Sequence, residues 1–103
     1  MATTYTIDKY SVSYSSNIYW PRIVLMEGER YVGVLKFIKP NGAALPQDSI
    51  SDTGYITLYY PIDEFANVID LLRHEKPMHI WYYGNLPDNG IGTSREPVGE
   101  DET

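Results

Sequence analysis

The sequence predicts an α+β domain: an antiparallel β-sheet of five to six strands with one amphipathic helix packed on one face, in the order ββββαβ(β). Three observations carry this. Large and small side chains alternate with period two over several short stretches, the mark of half-buried strands. A single stretch, residues 63–75, instead spaces its apolar residues by three and four. Clusters of Gly, Pro, Asn and Asp separate these stretches.

Residues 4–15 alternate, with Tyr5 and Ile7 on one parity and Tyr10, Val12 and Tyr14 on the other. The change of phase at Asp8-Lys9 marks a bulge, a bend, or the true start of the strand. Ser15-Ser16-Asn17 reads as a turn, and residues 18–27 as a second strand. Pro21 has no N–H to give a ladder, so that strand belongs at a sheet edge or is broken near Trp20-Pro21. Glu27-Gly28-Glu29 then joins it to a third strand, Arg30 to Ile38, as a hairpin.

Lys39-Pro40-Asn41-Gly42 is a turn, because proline presets the first central dihedral and Asn-Gly accepts the conformation that comes next. Residues 42–53 lack a useful period and read as a plain connection pinned by Leu45 and Ile50. The next strand, 55–60, sends Ile56, Leu58 and Tyr60 to one face and Tyr55, Thr57 and Tyr59 to the other. Pro61 ends it.

The helix runs from Asp63 to about Glu75. Asp63 is placed to cap it, so Asp63→Ala is expected to cost about 1 kcal/mol. Phe65, Val68, Ile69 and Leu72 form the buried stripe, widened by Ile62, Ala66 and Leu71. At roughly 1.5–3 kcal/mol for each buried side chain, packing outweighs any cap. Arg73, His74 and Lys76 suit the negative end of the helix dipole, and Pro77 stops the helix. The last two strands are 78–83, with Met78, Ile80 and Tyr82 opposite His79, Trp81 and Tyr83, and a weaker one at 91–96. One domain is expected over residues 1–97, with an acidic, disordered tail over 98–103.

Composition limits function. The formal charge is −6, from 14 carboxylates against 8 Lys and Arg, and no two of those cations are adjacent. This disfavours nucleic acid as a partner, since phosphate binding needs clustered cations. There is no cysteine, which excludes disulfides and thiolate sites. The N-terminal residues lack the basic flank and apolar run of a signal peptide, and the longest aliphatic run, Ile23 to Met26, is far short of a membrane span. A cytoplasmic protein with no membrane association is the expectation.

Chemical motifs are scarce. His74 and His79 stand five apart with Pro77 between them, whereas the helical zinc pattern needs two histidines four apart on one face. No metal and no cofactor are therefore expected. The serines include no Gly-x-Ser-x-Gly elbow, and Gly90-Ile91-Gly92 lacks the adjoining helix that a phosphate cradle requires. No catalytic residue is assigned, and the chain reads as a non-enzymatic binding or assembly module.

The surviving feature is aromatic. If the two strands flanking the helix share a sheet, Tyr55, Tyr59, His79, Trp81 and Tyr83 line the face opposite the helix. Aromatic pairs also stabilise a sheet without any ligand, but a broad aromatic surface commonly marks an interface. These five are the candidate binding residues, for a homodimer or another protein partner. The alternative use is base stacking on the same face.

Two resemblances bear on this. The strand order, with Lys36 to Gly42, Gly54-Tyr-Ile-Thr-Leu58 and an amphipathic helix, is similar to the strands-and-helix unit of Whirly and PUR-repeat proteins. That likeness, over about residues 5–75, implies single-stranded nucleic-acid binding, although the basic residues such a unit carries are missing here. Leu71 to Pro77 and Thr93 to Glu100 resemble small bacterial proteins of uncharacterised function, which implies a relative but no role.

Overall fold

In a computed structural model, which describes residues 2–16, 20–39, 45–84 and 89–93, the first alternating stretch divides into two strands. β1 (Thr3–Ile7) and β2 (Lys9–Ser13) meet at Asp8, where the phase changes. The bend is held by Asp8 itself. Its N–H donates to the Met26 carbonyl at 3.0 Å, and both carboxylate oxygens accept the Gly28 N–H at 2.9 Å.

The chain continues through β3 (Arg22–Glu27), β4 (Arg30–Ile38), β5 (Ser49–Ile50), β6 (Ile56–Pro61), α1 (Phe65–His74), β7 (Met78–Tyr82) and β8 (Gly90–Thr93). The class is α+β, but the strands form two sheets where one was expected. The larger has the order β2-β3-β4-β6-β5 and the smaller β1-β7-β8. All pairings are antiparallel except β4 with β6, so the larger sheet is mixed. The cause is a detour: after β4 the chain passes to the far edge, forms the two-residue β5, and turns back through Ser51 to Tyr55 to enter between β4 and β5. Gly54, at φ +90°, makes that turn, with its N–H donating to the Ser51 carbonyl at 3.0 Å.

The Pro21 constraint is met by a break. β3 is an interior strand that begins at Arg22, and the buried Pro21 lies just outside it, its carbonyl accepting the Phe37 N–H at 3.1 Å. The β3–β4 hairpin turns at Gly28, φ +63°, with a register shift between Leu25 and Met26.

The alternation seen in the sequence sets the core. Ile23, Leu25, Leu35, Phe37, Ile56 and Leu58 of the larger sheet meet Ile7, Met78 and Ile80 of the smaller one, together with Val68 and Leu72 of α1. Gly33 permits the close approach of the sheets, since a Cβ there would stand 2.8 Å from the Ile56 carbonyl oxygen and 3.0 Å from Ile80 Cδ1. Tyr5 ties the sheets at one end by donating to the Gly54 carbonyl at 2.9 Å. Phe65 sets its ring edge-on to Phe37 at 5.0 Å and to Tyr14 at 5.4 Å, which fixes the start of the helix.

Two helix expectations need correction. Asp63 caps nothing: β6 ends at Pro61 and runs straight into a 3-10 turn over Ile62–Glu64, with no side-chain cap on it or on α1. The first-turn acids still complement the dipole. Ala66 and Leu71 do not widen the buried stripe, because both are exposed. The final strand spans Gly90–Thr93, and residues 94–96, the tail over 98–103 and most of the Lys39 to Gly42 turn lie outside the described residues.

Candidate protein-binding face

The outer face of the larger sheet, turned away from the core, is built by register. Ser13 pairs with Arg22, Arg22 with Lys36, and Lys36 with Tyr59, so one row crosses four strands. A second row runs Ser11, Val24, Val34, Thr57 and Ser49. Cations far apart in sequence thus become neighbours, a feature invisible without the pairing. The Lys36 ammonium sits 5.9 Å from the Tyr59 ring centre, within cation–π reach. Tyr31, 61% exposed, belongs to the same face. Burial pushes the Tyr55 phenol above its usual range; the positive charge of Arg22 opposes that rise and Tyr31 adds to it, which places all three within electrostatic reach of one another. Lys9 is neutralised on this side by Glu29 at 2.8 Å.

The five predicted residues do not share this face. Tyr55 and Tyr59 lie on it, but β7 belongs to the other sheet, and this takes His79, Trp81 and Tyr83 elsewhere. The condition that the strands flanking the helix share a sheet fails because β6 enters the larger sheet while β7 pairs with β1 and β8. On the outer face of the smaller sheet, Trp81 lies across β8. A Cβ on Gly92 would be 2.8 Å from Trp81 Cη2, and one on Gly90 3.5 Å from Cζ2. The two glycines therefore serve as a bed for the indole. His79 Nδ1 is 3.5 Å from the Thr6 hydroxyl, and Tyr83 lies just past β7, 39% exposed.

A polar node links the two groups. Asp48 accepts the Tyr59 N–H at 2.9 Å and the Asn89 side-chain amide at 3.3 Å; Asn89 in turn accepts the Tyr83 N–H at 2.6 Å and donates to the Gly84 carbonyl at 2.8 Å. Beside it the Tyr60 phenol is pushed up to about 12, chiefly by burial and then by the Asp48 charge, with a backbone hydrogen bond from Ile91 pulling the other way. Asp48 and Asn89 sit in stretches that read only as turn material, so nothing in the sequence pointed to them.

One concave region also forms, a cleft of about 540 Å³ between residues 6–10 and 72–78. His74 borders it, with Nδ1 3.0 Å from Asp70 Oδ1 on its own helix. The described residues lining the cleft include no hydrogen-bonded pair of nucleophile and base. Among the described residues no group of three or more His, Asp or Glu is placed to hold a metal, and no helix is long and apolar enough to cross a membrane. Comparison with protein-family models, curated proteins and solved structures finds no match for this chain.

Proposed function

We propose that this chain is a non-enzymatic assembly module that docks a second copy of itself through the outer face of its larger sheet. The observation that carries the reading is the arrangement of Arg22 and Lys36 as direct neighbours beside Tyr55 and Tyr59. A face that holds both guanidinium or ammonium groups and tyrosine rings is self-complementary, because the cations of one copy can cover the rings of the other. Tyr and Arg are also the side chains that carry most binding energy at protein interfaces. Sedimentation of the purified chain over a wide concentration range tests this. The mass is expected to rise toward twice the monomer value, and Arg22→Glu with Tyr59→Ser to hold it at the monomer; a wild-type chain that stays monomeric throughout contradicts the reading.

One observation favours a second use of the same face: the register gathers cations of different strands next to tyrosines, as single-stranded nucleic-acid binding requires. With Lys9 neutralised by Glu29, few phosphates would be contacted, so binding of a labelled single-stranded oligonucleotide should show a shallow log–log salt slope of roughly −1 to −2. Absence of binding at low ionic strength removes this reading.

A further inference from the structure

The cleft at the bend between β1 and β2 is a surface apart from the outer sheet face, and its occupancy is independent of self-association there. Its volume, about 540 Å³, lies within the roughly 300–1,000 Å³ typical of ligand sites. Ile7, Leu72 and Met78 give it an apolar floor. The charges on its rim are unevenly committed. Asp8 is held by the Gly28 N–H, Lys9 by Glu29 and His74 by Asp70, whereas Arg73 and Lys76 have no ion-pair partner among the described residues. Glu75 is the one lining acid without such a bond, so the uncommitted rim favours an anionic occupant.

We propose that this occupant is the chain's own C-terminal segment, residues 94–103, laid along the cleft as an extended acidic strap. Three facts converge on it. Thr93, the last residue of β8, is the register partner of Met78, which lines the cleft. Because β8 runs antiparallel to β7, the chain leaving Thr93 heads past the start of β7 toward Pro77, Lys76 and the end of α1. The segment, Ser-Arg-Glu-Pro-Val-Gly-Glu-Asp-Glu-Thr, brings Glu96, Glu100, Asp101 and Glu102 to the Arg73 and Lys76 rim and Val98 to the floor. Fully extended it spans roughly 33 Å, ample for the cleft. Its attachment at Thr93 gives an effective concentration on the order of millimolar, so individually weak contacts hold it. The cleft is then a site for acidic extended polypeptide, and any other such segment must displace the resident one.

The test compares backbone amide shifts of the full chain with those of a chain ending at Thr93. Deletion is expected to move amides at residues 6–10 and 72–78, and a synthetic peptide of residues 94–103 to return them toward their original positions in the shortened chain while leaving the full chain unchanged. Arg73→Glu with Lys76→Glu in the full chain should reproduce the deletion. High salt should do the same, which keeps the test decisive if that variant folds poorly. Deletion that leaves these amides in place, or moves only those of the outer face around Arg22, Lys36 and Tyr59, overturns the proposal. Cleft shifts in the full chain that change with protein concentration also overturn it, since they put the strap in a neighbouring copy.

Discussion

The outer faces of the two sheets start from the same kind of sequence and end differently. β6 and β7 both place aromatics at alternate positions away from the core: Tyr59 beside Thr57 on one, Trp81 beside His79 on the other. On the smaller sheet the neighbouring strand offers Gly90 and Gly92, and the indole folds down onto them. On the larger sheet the neighbour of Tyr59 is Lys36, itself next to Arg22, and these side chains stand outward from the sheet. The difference teaches that the residue across the ladder, more than the aromatic itself, decides whether a ring is consumed by the fold or left for a partner.

That contrast can be broken from either side, and the largest effect is expected at Trp81. Trp81→Ala uncovers β8 and should cost about 3 kcal/mol in urea unfolding, the low end for a core aromatic because Trp81 is only half-buried. A loss under about 0.5 kcal/mol would put the indole in the same class as the outward tyrosines.

Next is Tyr60, whose ring stacks on Phe37 at 5.7 Å and whose hydroxyl reaches the smaller sheet at Ile91. Its phenol ionises near 10 in the unfolded chain and at about 12 when folded. The folded state thus keeps a proton that the unfolded state releases, so this contribution is intact below pH 10 and is lost as pH rises through 12. About 2 kcal/mol should disappear over that window, and Tyr60→Phe should remove most of the slope. An unchanged slope in the variant would show that the link between the sheets does not depend on the neutral phenol.

A smaller effect is expected from Gly92→Ala. The added methyl, 2.8 Å from Trp81 Cη2, must lift the ring, costing about 1–2 kcal/mol and shifting Trp81 fluorescence toward the red. Smallest of all is Tyr59→Ser. As an outward residue with one long cation–π contact it should change stability by no more than about 0.5–1 kcal/mol, while weakening self-association.

Much of the architecture was legible in the residues. Period two identified the faces of β6 and β7 correctly, the three-and-four spacing of Phe65, Val68, Ile69 and Leu72 gave the helix, and Gly28 gave the hairpin. Relations between distant segments escaped. A two-residue strand such as β5 has no period to detect, so the detour that makes β4 and β6 parallel was hidden, and with it the split into two sheets. The phase change at Asp8 was visible, but not that it moves the chain between sheets. Asp63 looked like a cap because local composition cannot reveal that Pro61 feeds directly into a 3-10 turn. For the candidate site, Tyr55 and Tyr59 were readable from alternation. Their companions Arg22 and Lys36 were not, since only strand register makes them neighbours.

The central claim is that copies meet through the outer face of the larger sheet. The chain has no cysteine, so one introduced thiol reports on one place. Single variants Thr57→Cys, on that face, and Thr4→Cys, on the outer face of the smaller sheet, would be treated with a short bismaleimide and the covalent dimer measured over time. Rapid cross-linking at Thr57, slow cross-linking at Thr4, and loss of the difference on adding Arg22→Glu is the predicted result. Equal rates at the two positions, or no dimer at Thr57, would contradict the account.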